Sequence, residues 1–509
     1  MIPGLAAPFL LLGSLCWLAP AAPAQGLEIR VRLLEERSPA AGEPRLRPGF
    51  ALRRIHQGAP KTLEHKGTLL LDFLGRAPSA EELVLILQPF EGLALGSLSL
   101  RGAKDLEVGD LAPLTKLASL EVLDLGGCKK IGPQALPFLA KLPGLRWLRY
   151  EGSGISEVAL AQAEGFDQLL TRKVDAWFRK ACVARGIVGA SLALAWKGRF
   201  VYSKGYGWAD LERGVPADSQ SRYRWASISK PLCAVAALQL REQGKLDIDA
   251  DIRTYVPEFP EKPLAKGKKI TTRLLLGHLG GIVHYRNGKV IKTQREYTIP
   301  HPFSNLILSL DNFKESPLIA EPGEKYSYST HGFILAGAVV RRAGKKAFAE
   351  QIEERIARPL GMKSLRPDYQ WEEIPDRVRG YRRQGRSGLL PSADTDVSWK
   401  LPGGGYLSTV EDLERFGEAL VQGKLLAPAS YDLLWTSQKT QEGKLTHYGM
   451  GFSLQEWQGN ELVGHGGAQD KTRTQLLLDP RKGMVVAFMT NCEWVRTGPI
   501  GRAVMSLLE

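Results

Sequence analysis

An α+β fold preceded by a short solenoid of repeats is what the sequence predicts, and three observations carry that expectation. From about residue 165 onward, strand patterns lie at both ends of the stretch with a long helical insert between them, as one antiparallel sheet covered by helices requires. Before it, residues 95–155 repeat with a 25-residue period, the mark of stacked supersecondary units. The 509 residues, 44% hydrophobic and 24% charged, are too many for a single core and too apolar for a disordered chain, so two or three globular domains are expected.

Taken in order, Met1–Ala24 is apolar, carries no Lys or Arg and ends in Ala22-Pro23-Ala24, a small-x-small pattern that reads as a secretory signal. A secreted or periplasmic protein follows from that reading; the alternative is an uncleaved N-terminal membrane anchor. No later segment is long and apolar enough to cross a bilayer. Residues 25–92 mix Arg, Pro and apolar positions and receive no assignment, although Glu81–Leu87 suits a helix or a strand. Over residues 93–160, Leu98, Leu123 and Leu148 fall in phase, as do Leu100, Leu125 and Tyr150, and Ala103, Cys128 and Ser153. Leu111, Leu114 and Leu117 return as Leu136, Leu139 and Leu142. This register resembles a leucine-rich repeat, with a short strand and a return segment per unit. Either a protein partner binds there or the segment is a packing element.

Residues 165–509 form the main domain. Phe166–Arg185 reads as an amphipathic helix, and Ala190–Trp196 and Phe200–Tyr206 read as strands joined at Lys197-Gly198. At the far end Leu462–Gly464, Gln475–Leu478 and Met484–Met489 are strands, Asp479-Pro480 opens a turn, and Pro499–Leu508 is a closing helix.

Ser227-Ile228-Ser229-Lys230 opens a helical run within this domain. Residues three apart share a helix face, so the amine lies beside the hydroxyl whose proton it can take. Three more pieces follow in order: Pro322–Thr330, containing Tyr328-Ser329-Thr330, ahead of a helix His331–Arg342 stopped by Gly344; Gly403–Thr409, where Thr409 and Asp412 make a capping box for a helix through Leu420; and His465-Gly466-Gly467-Ala468 between strands.

Together these pieces resemble the serine β-lactamase and penicillin-binding protein superfamily, in its class C-like branch, and within it the mitochondrial serine β-lactamase-like proteins. Leu274–Tyr285 carries the same likeness. The resemblance implies the β-lactamase/DD-peptidase fold, an antiparallel sheet with an all-helical subdomain. It also implies an acyl-enzyme on Ser227, with Lys230 as proton acceptor and Tyr328 as the phenol near the lysine, its pKa lowered by the ammonium. Implied oxyanion donors are the backbone N–H groups of Ser227 and Ala468, and Thr330, His465, Gly466 and Gly467 line the substrate. No metal or cofactor is implied.

Two departures stand out. Thr330 replaces the usual Asn, and His465 replaces the Lys that fixes a substrate carboxylate, leaving a group only partly charged near neutrality. These favour a peptidase or esterase acting on a small molecule or peptide over a β-lactamase; a binding scaffold with a vestigial site is the third reading. The bland alternatives are a helix-capping Ser227, a core Tyr328 and a structural hydrogen bond at His465. Arg496-Thr497-Gly498 imitates the missing motif with too little chain after it to complete a sheet.

Cys128, Cys182, Cys233 and Cys492 are scattered, which suggests buried free thiols, whereas Cys16 falls in the leader. The net charge of +14, concentrated at Arg45–Lys66 and at Arg377, Arg379, Arg382, Arg383 and Arg386, reads as a solvated basic surface; no nucleic-acid motif accompanies it. His278 and His284, six residues apart, invite a metal reading, but the resemblance places the same residues in a helix-to-loop segment that holds no metal; Tyr381–Arg386 reads as surface, and Gly403–Gly405 suits a close backbone approach better than a phosphate loop.

Overall fold

The computed structural model describes residues 27–36, 50–54, 68–75, 87, 95–166, 169–291, 305–385 and 388–509. The leader reading of Met1–Ala24 with Cys16, the assignment of Glu81–Leu87 apart from Leu87, most of the Arg45–Lys66 stretch, Arg386 and residues 292–304 of the helical insert lie outside them. The chain divides into two compact units at Trp177/Phe178, within helix α1 (Leu170–Arg185).

In the first unit the 25-residue period becomes a sheet. Strands β1 (Leu27–Glu36), β2 (Phe50–Arg54) and β3 (Thr68–Gly75) come from the stretch that received no assignment, and β4 (Leu95–Ser99), β5 (Val122–Asp124) and β6 (Trp147–Arg149) come one per repeat. The order is β2-β1-β3-β4-β5-β6, with β1 antiparallel to β2 and β3 and the rest parallel. Leu98 pairs with Leu123 and Leu123 with Leu148, so the sequence period is the strand register. Leu111, Leu114, Leu117, Leu136, Leu139 and Leu142 are buried behind these strands.

The second unit is built on strands β7 (Gly189–Trp196), β8 (Arg199–Asp210), β9 (Val215–Pro216), β10 (Arg222–Arg224), β11 (Arg366–Pro367), β12 (Tyr381–Gln384), β13 (Gly388–Pro391), β14 (Tyr406–Thr409), β15 (Ser453–Trp457), β16 (Asn460–Gln469), β17 (Thr472–Asp479) and β18 (Met484–Thr490). Seven make one antiparallel sheet, β15-β16-β17-β18-β7-β8-β9, uniting both ends of the unit as expected. A smaller sheet, β10-β14-β11, lies at the nucleophile, and β12 and β13 form a hairpin.

Helix α2 (Ser229–Glu242) is hydrophobic nearly all round and is buried on almost every side, as such a helix must be. Helix α3 (Thr330–Gly344) and the Leu401–Gly404 turn pack on it. Thr409 caps α4 (Val410–Val421), its hydroxyl accepting from Asp412 N–H at 3.3 Å. Helix α5 (Thr497–Leu507) starts at the Arg496-Thr497-Gly498 decoy.

Three readings need correction. Gly344 does not stop α3; the left-handed residue is Lys345 (φ +55°), and a Cβ on Gly344 would strike the Gln351 side chain. Tyr381 is fully buried, its hydroxyl donating to Glu212 Oε2 at 2.5 Å, whereas Arg382, Arg383 and Gln384 are exposed. Nor is the basic cluster all solvated: Arg377 pairs with Asp368 at 2.6 Å. Cys128, Cys182, Cys233 and Cys492 are free and buried, and no helix of the described residues is long and apolar enough to cross a membrane.

Candidate active site

Ser227 occupies a 3-10 turn, Ala226–Ile228, between β10 and α2, so the helix begins two residues later than the motif suggested. The turn is tied from three sides. Trp225 N–H donates to Tyr406 O at 2.7 Å, Trp225 Nε1 to Ser408 Oγ at 2.6 Å, and Thr474 Oγ1 to Trp225 O at 2.9 Å. Ala226 is held at φ +49°, a conformation costly for a residue with a Cβ. Gly467 on β16 makes the fit possible, because a Cβ there would overlap Thr474 Oγ1 and Trp225 O and lie 3.1 Å from Ala226 Cβ. One turn upstream, the Arg224 guanidinium is anchored on buried Asp368, which also binds Arg377.

Lys230 is wholly buried. Its Nζ lies 3.1 Å from Ser227 Oγ, 3.3 Å from Thr330 Oγ1 and 2.8 Å from Gly403 O. Burial, and then the charge of Lys400, push its pKa well below the ordinary lysine value. The Lys230 amine is therefore poised as a base. Thr330, standing where the resemblance has Asn, still offers Lys230 a side-chain acceptor. Gly403 packs too closely on Thr330 for a Cβ, which bears out the close backbone approach read from that glycine run.

The Tyr328 hydroxyl neighbours Ser227, and its ring centre sits 4.8 Å from Lys230 Nζ. Its pKa is raised, by burial above all, against the expectation of a phenolate. The expectation assumed a neighbouring ammonium, and the same burial that disfavours phenolate also disfavours the charged form of Lys230. Tyr328 thus stays a phenol and a hydrogen-bond donor.

His465 is 5% exposed; its Nδ1 is 2.6 Å from Gly466 O and its Nε2 3.0 Å from Tyr448 Oη. Burial, then Lys230, lowers its pKa to about 3, so the partial charge read from sequence is absent. Gly466 and Ala468 are exposed along β16, past Gly464 where β15 ceases to pair. His278 and His284 each accept a backbone N–H, from Ser329 at 3.1 Å and Thr330 at 3.2 Å, and burial lowers the pKa of both, that of His284 to about 4. They shape the Tyr328-Ser329-Thr330 segment.

Ser227, Lys230, Tyr328 and Thr330 thus converge, with β16 alongside. Sequence reasoning missed Tyr448, Tyr285 and Lys400. Lys400 lies three residues before Gly403, and its position in the same segment as the glycine run was the available signal.

The Beta-lactamase family model matches residues 166–496. The human mitochondrial serine beta-lactamase-like protein LACTB is 33% identical over 297 residues, covering 47% of this chain and 54% of its own length. The chain therefore spans about half the length of the curated relatives it matches first. Among solved structures, the octameric penicillin-binding protein homologue from Pyrococcus abyssi aligns with TM-score 0.56 at 23% identity, over 66% of this chain and 76% of that one. A D-stereospecific amidohydrolase from Streptomyces aligns with TM-score 0.52 at 25% identity, over 63% and 94%.

Proposed function

The chain belongs to the Beta-lactamase family, and from that premise we propose that it is a serine hydrolase opening an amide or ester bond through an acyl-enzyme on Ser227. The observation that carries this reading is the buried amine of Lys230, its pKa lowered by that burial, 3.1 Å from Ser227 Oγ. As Ser227 Oγ bonds to the substrate carbonyl carbon, its proton passes to Lys230. The oxyanion is held by the N–H groups of Ser227 and Ala468. The scissile bond then breaks, and the leaving group takes the proton from Lys230 by way of the Tyr328 hydroxyl. In the second half water attacks the acyl carbon and gives its proton to Lys230 by way of Tyr328, and the acyl–Oγ bond breaks as Lys230 returns a proton to Ser227 Oγ, restoring the free enzyme. Peptidase or esterase chemistry is favoured over antibiotic hydrolysis because His465 is neutral and tied on both ring nitrogens. An amide substrate also agrees with the likeness to the Streptomyces amidohydrolase. Export through Met1–Ala24 belongs to this proposal; secreted protein still beginning at Met1 would remove it.

A fluorophosphonate probe tests the reading. Wild type is expected to label at Ser227 and to turn over simple esters or D-amino-acid amides, and Ser227→Ala to do neither. Equal labelling and turnover by the two proteins would sink the assignment. A wild type that is inert to every probe would favour a binding scaffold.

A further inference from the structure

Resting on the hydrolase reading, we propose that Lys400 is the cation that receives a substrate carboxylate in the Ser227 cleft, the role His465 cannot fill. The backbone that supplies Gly403 O to Lys230 also presents Lys400, at the end of a 3-10 turn, Ser398–Lys400. The Lys400 ammonium lies 5.9 Å from the ring centre of Tyr285 and 5.7 Å from that of Trp399. Tyr285 is 47% exposed, so this side of the cleft is open to a ligand. Its other contacts lead straight to the nucleophile. The Tyr285 and His284 rings lie 4.1 Å apart, His284 meets Tyr328 at 5.7 Å, and Tyr285 neighbours Thr330, which accepts from Lys230.

Lys400 is half-buried, yet among the described residues no carboxylate lies within ion-pair distance of it. Asp396 and Asp470 influence it from farther away, and both oxygens of Asp396 are occupied by Ser398. A partly desolvated cation without a counter-ion is stabilised by whatever anion enters. A single ammonium between aromatic faces suits a carboxylate, whereas phosphate sites gather several cationic or backbone donors. The substrate class is therefore an acyl compound or peptide bearing a carboxylate near the scissile bond.

Burial, then the charge of Arg224, lowers the Lys400 pKa to about 8, so the site is charged below that pH and loses its charge above it. The groups facing it are Asp396 on its own turn, Arg224 from β10, Lys230 from α2, His284 and Tyr285 from the preceding loop, His331 from α3 and Asp470 from the β16–β17 turn.

The experiment compares the glutaric monoester of 4-nitrophenol with its methyl-capped neutral counterpart. The ratio of their kcat/KM values is expected to favour the acid in wild type, to fall about 10- to 100-fold in Lys400→Gln, to be largely kept in Lys400→Arg, and to turn towards an amine-bearing ester in Lys400→Glu. An unchanged ratio in Lys400→Gln overturns the proposal, and so does an equal loss on both esters, which would mark a structural role. Calorimetric titration of glutarate into the Ser227→Ala protein separates this from failure of the hydrolase reading. Binding that disappears in Ser227→Ala/Lys400→Gln supports the carboxylate site even if no ester is ever cleaved, and absence of binding in Ser227→Ala overturns it.

Discussion

Lys230 illustrates how a single side chain trades stability for chemistry. Burial lowers its pKa in the fold, so below its ordinary value the unfolded chain binds a proton that the folded chain refuses, and stability falls with falling pH. Replacing it with Met is therefore expected to abolish turnover while raising stability by about 1–4 kcal/mol, measured by denaturant unfolding. A destabilised Lys230→Met protein would show that the amine is well compensated by its three acceptors. The same lowered pKa predicts a pH profile. kcat/KM on a neutral ester should lose activity only on the acid side, as Lys230 takes up its proton, with no loss at alkaline pH from phenol ionisation below about pH 10. At this scale the sequence was legible for identity and poor for charge. Ser227, Lys230 and Tyr328 were named from motif spacing, but the protonation of each depends on burial, which spacing does not encode. The importance of Lys400 was hidden for the same reason, since a lysine in a loop looks alike whether it faces water or a cleft.

Elements set the tolerances. β16 presses on the Ser227 turn at Gly467, whereas the nearest atom to a Cβ on Gly466 lies 3.6 Å away. Gly467→Ala should displace the turn, costing about 1–3 kcal/mol and about 100-fold in kcat, while Gly466→Ala folds with wild-type stability by thermal melting. Equal stabilities for the two variants would refute this account of the packing. Buried Asp368 joins β10 to the loop beyond β11 through Arg224 and Arg377; Asp368→Ala, which strands both cations, should destabilise the unit by about 3–5 kcal/mol in urea unfolding. Strands and helices were readable because hydrophobic period reports the buried face directly. The repeats held a further signal that went unread: Gly102, Gly127 and Gly152 are 25 apart and all adopt positive φ, +78°, +75° and +74°, at the turn leaving each strand. Beyond the period, β1–β3 went unassigned although Leu27–Leu33 alternates apolar with charged residues and Leu69–Leu71 is a short apolar run, both strand patterns.

Across the whole molecule, the four free cysteines of the described residues are buried, and burial raises their pKa values. Native protein should therefore react slowly with a disulfide reagent such as 5,5′-dithiobis(2-nitrobenzoate) and rapidly in guanidinium; fast labelling of Cys128, Cys182, Cys233 or Cys492 in the native state would contradict their placement. The antiparallel sheet drawing on both ends of the second unit was predictable from strand distribution alone. Which loops close over the nucleophile was not, because cleft walls are assembled from segments hundreds of positions apart with no shared period.

The three neighbours of Lys230 restrict which way its hydrogens point. A neutral amine carries two hydrogens and one lone pair, and Gly403 O, having no proton to offer, must take one hydrogen. The second hydrogen and the lone pair fall to the hydroxyls of Thr330 and Ser227, each of which can donate or accept. Rotation of the Thr330 hydroxyl from donor to acceptor thus turns the lone pair towards Ser227 Oγ and lets its proton face nitrogen.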